Sequence, residues 1–321
     1  MDGPTISQVK VVIAGGSGAL GRRLADDLAE RGDQVVILTR TPRTGPHRQA
    51  QWDGRTVGKW AKELEAAAVV NLAGELVDRR PTPRNIALLT SSRVEPTSAL
   101  AAAARTLTEP VPVWVQASTL AIHGDAGEAE LDESSAPAHE PPQMAGVATA
   151  WEDAARDVRA ERTVVLRTGI VLDRDSPALD RLVGLARWGL GGRIGNGRQW
   201  ISWIHIADWL AIVRRTLDGS LEGDGSLEGI VVATAPHPVR NAELMAELRR
   251  AVRRPPAPPT PALVVKLGAI LLRTDPALAL TGRRAIPRRL LDSGFAFSYP
   301  RLAPALDQLI AQPAVQDPDR P

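Results

Sequence analysis

The chain has 321 residues, 39 Lys and Arg against 37 Asp and Glu, and a formal net charge of +2; 44% of it is hydrophobic and 24% charged. These values belong to a soluble globular chain of at most two folding units and exclude a disordered or coiled-coil protein. With no cysteine, disulfides, thiolate metal sites and cysteine nucleophiles are excluded together.

Further exclusions come from spacing. The five histidines, His47, His123, His139, His205 and His237, show no metal-ligand spacing, so no metal site is expected. The basic doublets Arg253-Arg254, Arg283-Arg284 and Arg288-Arg289 form no stripe, and the reading is no nucleic-acid partner. No window reaches about 18 uninterrupted apolar residues, and MDGPTISQVK lacks the charged start and apolar run of a signal peptide. The expectation is a cytoplasmic protein with no membrane partner; a homodimer is left open.

Short apolar runs alternate with helical stretches. VKVVIA (9–14), QVVIL (34–38), AAVVNLA (67–73), VPVWVQA (111–117) and RTVVLRT (162–168) are continuous rather than alternating, which predicts strands buried on both faces. LGRRLADDLAERG and RNIALLTSSRVEPTSALAAAART read as the helices between them. The pattern predicts an α/β fold with a Rossmann-type, doubly wound parallel sheet.

Between the first strand and helix lie Gly15, Gly16, Ser17, Gly18, Ala19, Leu20 and Gly21, a GxxGxxG turn. Glycines there permit a tight turn, close approach of backbone to a pyrophosphate, and close helix-on-strand packing, with the anion at the helix N-terminus. The second strand ends on Leu38, Thr39 and Arg40 with no carboxylate, where an NAD site usually carries one. An arginine there suits a 2′-phosphate, so NADP(H) is expected over NAD(H).

After about residue 175 the rhythm loosens. GLGGRIGNGRQW (189–200) is followed by a helix near 206–218, a strand GIVVAT, a helix near 241–254, the proline-dense RRPPAPPTP (253–261), and then helices with one strand, GFAFSY (294–299). The expected division is a dinucleotide-binding domain over 1–175 with parts of 195–235. A smaller C-terminal α/β substrate lobe takes 176–195 and 236–321.

Taken together, AGGSGALG, NLAGE (71–75) and QASTLAIHG (116–124) resemble the extended short-chain dehydrogenase/reductase superfamily. NLAGELVDRR, SRVEPTSAL, AWEDAA, LRTGIVL, GNGRQWISWIHIADWL, PVRNAEL and GFAFSYPRL are similar to its branch of NAD(P)-dependent, sugar-epimerase-like "epimerase family" proteins. That branch carries a C-terminal domain of unknown function, here about 236–311. The resemblance implies Leu72, Ala73 and Gly74 at the cofactor and a substrate under the C-terminal lobe. It also implies Ser118 as the catalytic serine, with a tyrosine and a lysine four residues later to move the proton.

Those last two are absent. Gln143 and Val147 stand in their places, the only tyrosine is Tyr299, and the lysines are Lys10, Lys59, Lys62 and Lys266, so no YxxxK exists. Glutamine trades no proton and valine holds no charge. His123, five residues after Ser118, is the substitute whose ordinary pKa suits the task, with Asp125, Glu128 and Glu152 nearby in sequence. Thr119, Gln143, Arg79, Arg198 and Trp203 are the candidate substrate contacts. Arg80 is a further candidate for cofactor or substrate, Trp200 for a pocket wall, and His205 and Asp208 for fixing the turn and capping the helix that follows.

Three functions fit these residues. The first is an NADP(H)-dependent oxidoreductase or isomerase acting on a small organic molecule by an atypical route. The second is a non-catalytic dinucleotide-binding regulator or scaffold. The third is a lyase or cyclase that has taken over the old pocket.

Overall fold

A computed structural model describes residues 8–174, 176–218 and 227–311. The limits 1, 175 and 321 of the expected domains lie outside the described residues. The chain divides into two compact units: Met1–Gly124, Ser135–Thr168 and Leu210–Val232 form one, and Asp125–Ser134, Gly169–Trp209 and Ala233–Pro321 form the other.

The first unit is built on a seven-stranded sheet: β1 (Lys10–Ala14), β2 (Gln34–Thr39), β3 (Arg48–Gln51), β4 (Ala68–Asn71), β5 (Val111–Thr119), β6 (Ala160–Thr168) and β7 (Gly229–Ala233), in the order 3-2-1-4-5-6-7. The pairings from β3 through β6 are parallel, with Val12 beside Val36 on one side and Val69 on the other. Val11 to Ala14 are wholly buried, which is why the strand reads as an unbroken apolar run, each large side chain contributing about 1.5–3 kcal/mol. β1 has β2 and β4 as neighbours, so the connections leave it in opposite directions. The crevice at its carboxyl end is the topological switch point, where doubly wound sheets bind ligands.

Two helices shape that end. Helix α1 (Ala19–Arg31) starts on Gly18 and ends on Gly32, which takes the left-handed conformation of a C-cap. Helix α2 (Pro83–Arg105) is capped by the Thr82 hydroxyl, which accepts from the Asn85 amide, and buries Leu89, Leu100 and Ala104. Helix α3 (Val147–Ala154) follows a wide π-type turn, Pro142–Gly146, an irregularity that often marks a functional position.

The second unit has two-stranded pieces instead of one sheet. Ile170–Leu172 pairs with Trp203–His205, and Val239–Arg240 with Trp200–Ile201. The first pairing accounts for a difference from the expected division: 169–174, expected in the first domain, and 195–209, within the 195–235 stretch expected to lend parts to it, group with the second unit. Its core gathers Leu172, Trp203, Leu244, Leu248 and Leu306. GFAFSY is not a strand. Its amides at Ser298 and Tyr299 donate to the Asp208 carboxylate at 2.7 and 2.9 Å instead of to a neighbouring strand, and Phe295 meets Phe297 edge to face. The proline-dense segment is irregular over 254–259, as its composition predicts, and Thr260 forms a single bridge to Ile194.

Candidate functional site

The glycine turn closes on the end of β4. Gly15 has φ +79°, and a Cβ there would lie 2.7 Å from the Leu72 carbonyl carbon and oxygen. A Cβ on Gly21 would lie 2.4 Å from the Gly15 oxygen, so α1 rests directly on the turn it leaves. Gly18 donates its amide to the Gly15 oxygen at 3.0 Å. What remains is a shallow cradle lined by backbone, with the first-turn amides of α1 facing outward from a helix N-terminus that has no acidic residue in its first turn. The geometry fits a pyrophosphate.

The wall opposite is held by buried polar groups. Asn71, Thr97 and Gln116 are all fully enclosed. The Asn71 amide donates to Thr97 Oγ1 at 2.8 Å and Gln116 Oε1 at 3.0 Å, and its oxygen accepts from the Ala73 amide. Every arm of the side chain is thereby used, as a buried amide requires. Further along, Arg93 donates to the Glu75 and Leu89 carbonyls and lies 5.1 Å from the Trp151 ring. Burial lowers its pKa to about 10. Leu72, Ala73 and Gly74 are thus held in place by Asn71 and Arg93, two supports that the expected site residues did not include.

At the other end of the crevice, Arg40 is exposed beyond β2, and among the described residues no carboxylate pairs with it. Arg79, expected at substrate, is in an ion pair with Glu75 at 2.9 Å.

The end of β5 is where the structure differs most from expectation. Ser118, expected to contact substrate, is buried and donates its hydroxyl to Glu152 Oε1 at 2.5 Å. Ser118 sits beside Arg167 in the β5–β6 register, and Arg167 takes the same carboxylate with Nε and Nη2, both at 3.0 Å. A planar guanidinium and a carboxylate make this two-point contact well. The result is a closed group tying β5, β6 and α3, which leaves the Ser118 hydroxyl committed. Neighbouring side chains on a strand point to opposite faces, so Thr119 takes the other side. It is partly exposed, and its oxygen accepts from the Ala121 amide at 3.1 Å, which leaves its proton to be donated elsewhere. Gln143, also partly exposed, stands on the π-type turn.

His123 closes the short helix after β5. It is 5% exposed, and its Nδ1 lies 3.0 Å from the Ala136 carbonyl. The expected proton donor is therefore buried, with Nδ1 turned to backbone.

In the second unit Trp203 is 1% exposed within the core, its indole N–H donating to the His237 carbonyl. The residue expected at substrate thus packs within the core cluster of this unit. Trp200 is the partly exposed neighbour, with the guanidinium groups of Arg240 and Arg284 3.9 and 5.1 Å from its ring centre and its N–H on Glu128. Arg198 is exposed and 3.6 Å from Glu128. Three arginine-borne contacts and the Trp200 hydrogen bond hold Glu128 down to about 2, the bonds from Arg240 leading. His205 uses Nδ1 to accept the Ala207 amide and sets Nε2 3.0 Å from Gln308, while its ring lies 3.9 Å from that of Tyr299. Among the described residues no group of three or more His, Asp or Glu could hold a metal, and no helix is long and apolar enough to cross a membrane.

The sequence profile of the NAD dependent epimerase/dehydratase family matches residues 11–151, and that of a domain of unknown function, DUF1731, matches 260–309. Epimerase family protein SDR39U1 of Bos taurus is 35% identical over 307 residues, spanning 94% of this chain and all of the relative. Epimerase family protein YfhF of Bacillus subtilis is 30% identical, spanning 94% of this chain and 98% of the relative. The crystal structure of human SDR39U1 isoform 2 with NADPH superposes with a TM-score of 0.82 at 32% identity, covering 94% of this chain and 99% of that one. A likeness that runs the full length of these proteins and includes both profiles in the same order places the chain in the SDR39U1-type epimerase family, a branch of the short-chain dehydrogenase/reductase fold.

Proposed function

We propose that the chain is an NADP(H)-binding, atypical short-chain dehydrogenase/reductase that reduces or isomerises a small organic substrate. The observation that carries this reading is the cradle at Gly15 to Gly21, with Arg40 beyond β2 and, among the described residues, no carboxylate paired with it. The relative from human was crystallised with NADPH, and the same cofactor suits the residues here. Amides of the turn hold the pyrophosphate, Arg40 pairs with the 2′-phosphate, and the backbone of Leu72 to Gly74 forms the facing wall. When bound, the nicotinamide supplies hydride transfer.

The chain's own residues position the substrate. Thr119 donates its hydroxyl proton to a substrate oxygen, and Gln143 presents an amide where the superfamily has its tyrosine. Ser118, Glu152 and Arg167 fix the strand end that carries Thr119. With no YxxxK and His123 enclosed, this arrangement polarises a carbonyl without a strong side-chain acid.

Calorimetric titration tests the cofactor. NADPH binds at least about tenfold more tightly than NADH, and Arg40→Ala removes the difference; an unchanged preference in the variant, or tighter NADH in the parent, sinks the assignment. NADPH oxidation over a panel of small carbonyl compounds tests the chemistry, with Thr119→Val keeping cofactor binding and losing turnover. The second reading, a dinucleotide-binding regulator without turnover, is favoured by the committed Ser118 hydroxyl and the buried His123. It prevails if NADPH binds and no compound in the panel consumes it.

A further inference from the structure

Arg93, in the first unit, is a buried cation whose partners are all neutral. It stands on α2, 9% exposed, and donates from Nη1 to the Leu89 carbonyl at 3.1 Å and the Ser92 hydroxyl at 3.4 Å, and from Nη2 to the Glu75 carbonyl at 2.9 Å. The acidic side chains around its contacts are spent on other cations: Glu75 on Arg79, Glu95 on Arg55 and Glu152 on Arg167. Among the described residues no ion pair cancels the charge of Arg93. A buried charge is costly unless it is paired, so one held on carbonyls alone calls for a reason.

A second observation comes from α3, which packs against α2. Trp151 is 7% exposed, the Arg93 guanidinium lies 5.1 Å from its ring centre, and its indole N–H has no acceptor among the described residues. The ring face helps to keep the cation enclosed, and the N–H adds positive potential of its own. Trp151 is one turn beyond Val147 on the same face of α3. Val147 is where the superfamily's lysine is missing, so the cation absent from α3 has a counterpart on the neighbouring helix. Arg93 also backs the wall that the proposed function gives to the cofactor. A Cβ on Gly74 would lie 3.1 Å from Arg93 Cγ and Cζ, and the Glu75 amide donates to Ser92 on the same helix. These contacts clip 74–75 to α2, but a clip alone needs no charge.

We propose that the Arg93 charge makes this site select the oxidation state of its cofactor, holding NADPH and disfavouring NADP⁺. The two differ in the nicotinamide ring, which is neutral when reduced and positively charged when oxidised. An enclosed cation in the wall repels the oxidised ring and is nearly indifferent to the reduced one. Burial keeps water and salt from screening that repulsion. The inference rests on the cofactor assignment of the proposed function and stands with either reading of turnover. A reductase sheds its oxidised cofactor after each hydride transfer, and a regulator reports the oxidation state of the nucleotide pool.

Calorimetric titration of the full chain with NADPH and with NADP⁺ tests this. The parent binds NADPH at least about tenfold more tightly than NADP⁺. Arg93→Gln keeps donors for the carbonyls but loses the charge, and brings the two affinities to within about threefold of each other. Arg93→Lys loses the planar fork but keeps the charge, and retains the parental ratio. If both variants weaken the two nucleotides by one common factor and leave the ratio alone, Arg93 is only a clip and the proposal falls. A further measurement on the parent does not depend on either variant folding. The fragment 2′-phospho-ADP-ribose, which lacks the nicotinamide, binds at least as tightly as NADP⁺; an advantage of about tenfold for NADP⁺ overturns the proposal. Equal affinities for NADPH and NADP⁺ in the parent overturn it and leave the cofactor assignment in place, whereas binding of neither removes both.

Discussion

Val12 in the first unit lies between Val36 and Val69 on adjoining parallel strands, whereas Trp203 in the second belongs to a pair of strands three residues long and packs mainly among helix side chains. In the first unit repeated backbone ladders set the frame, and polar side chains gather under the carboxyl ends of the strands, at Asn71, Gln116, Ser118 and Arg167. In the second, single side chains take over the ladder's work. Asp208 receives two amides of 298–299, the Asn241 side chain receives the Ile194 amide, and Ser202 bonds both Arg283 and Ala285 backbone groups. A ladder spreads its strength over many bonds, so its loss at one residue is local. A side-chain tie concentrates it, and one substitution releases a whole segment.

The greatest expected effect tests the exception in the first unit, where the ladder is supplemented by a buried ion pair. Arg167 is 2% exposed, grips Glu152 through Nε and Nη2, and donates from Nη1 to the Ser135 carbonyl. Arg167→Met keeps much of the volume and leaves the carboxylate enclosed without its countercharge, at a cost of about 3–5 kcal/mol. Denaturant unfolding measures it. A loss below about 1 kcal/mol would mean that ladders alone hold this end of the sheet and that the Ser118, Glu152 and Arg167 group is dispensable.

An intermediate effect is expected at the glycine turn, which was also the part of the site most legible in the sequence. Continuous apolar runs have one physical meaning in a chain with helices between them, so the strands and their parallel sheet could be read directly. Gly15 and Gly21 were legible because only a residue without Cβ fits against Leu72 and against the Gly15 oxygen. Gly21→Ala therefore costs about 1–3 kcal/mol of stability from overpacking, and NADPH binding falls below detection in the same calorimetric titration. The active-site strand was less legible. Ser118 and Thr119 are adjacent hydroxyls, and sequence spacing does not say which faces a ligand. The deciding fact is that Glu152, 34 residues on, reaches Ser118. The signal lies in AWEDAA and LRTGIVL, family motifs that each hold one half of the ion pair, with nothing in the spacing of either to join them. Similarly, GFAFSY has the composition of a strand, and nothing in its own residues reveals that Asp208, 90 residues earlier, takes its amides.

The smallest effect tests that tie. Asp208 is 1% exposed, and its two oxygens each accept one amide, Oδ1 from Ser298 and Oδ2 from Tyr299. Asp208→Asn preserves shape but replaces one oxygen with an N–H group that faces a donor, so one of the two charge-assisted bonds is lost, a cost of about 1.5 kcal/mol. Global unfolding reports little of so small a change, but amide exchange separates the cases. If the second unit depends on single side-chain ties, the amides of Ser298 and Tyr299 lose protection together while those of β1 and β4 keep theirs. Equal loss in both sets would mean that the units unfold as one, and that the difference between ladder and tie has no energetic consequence.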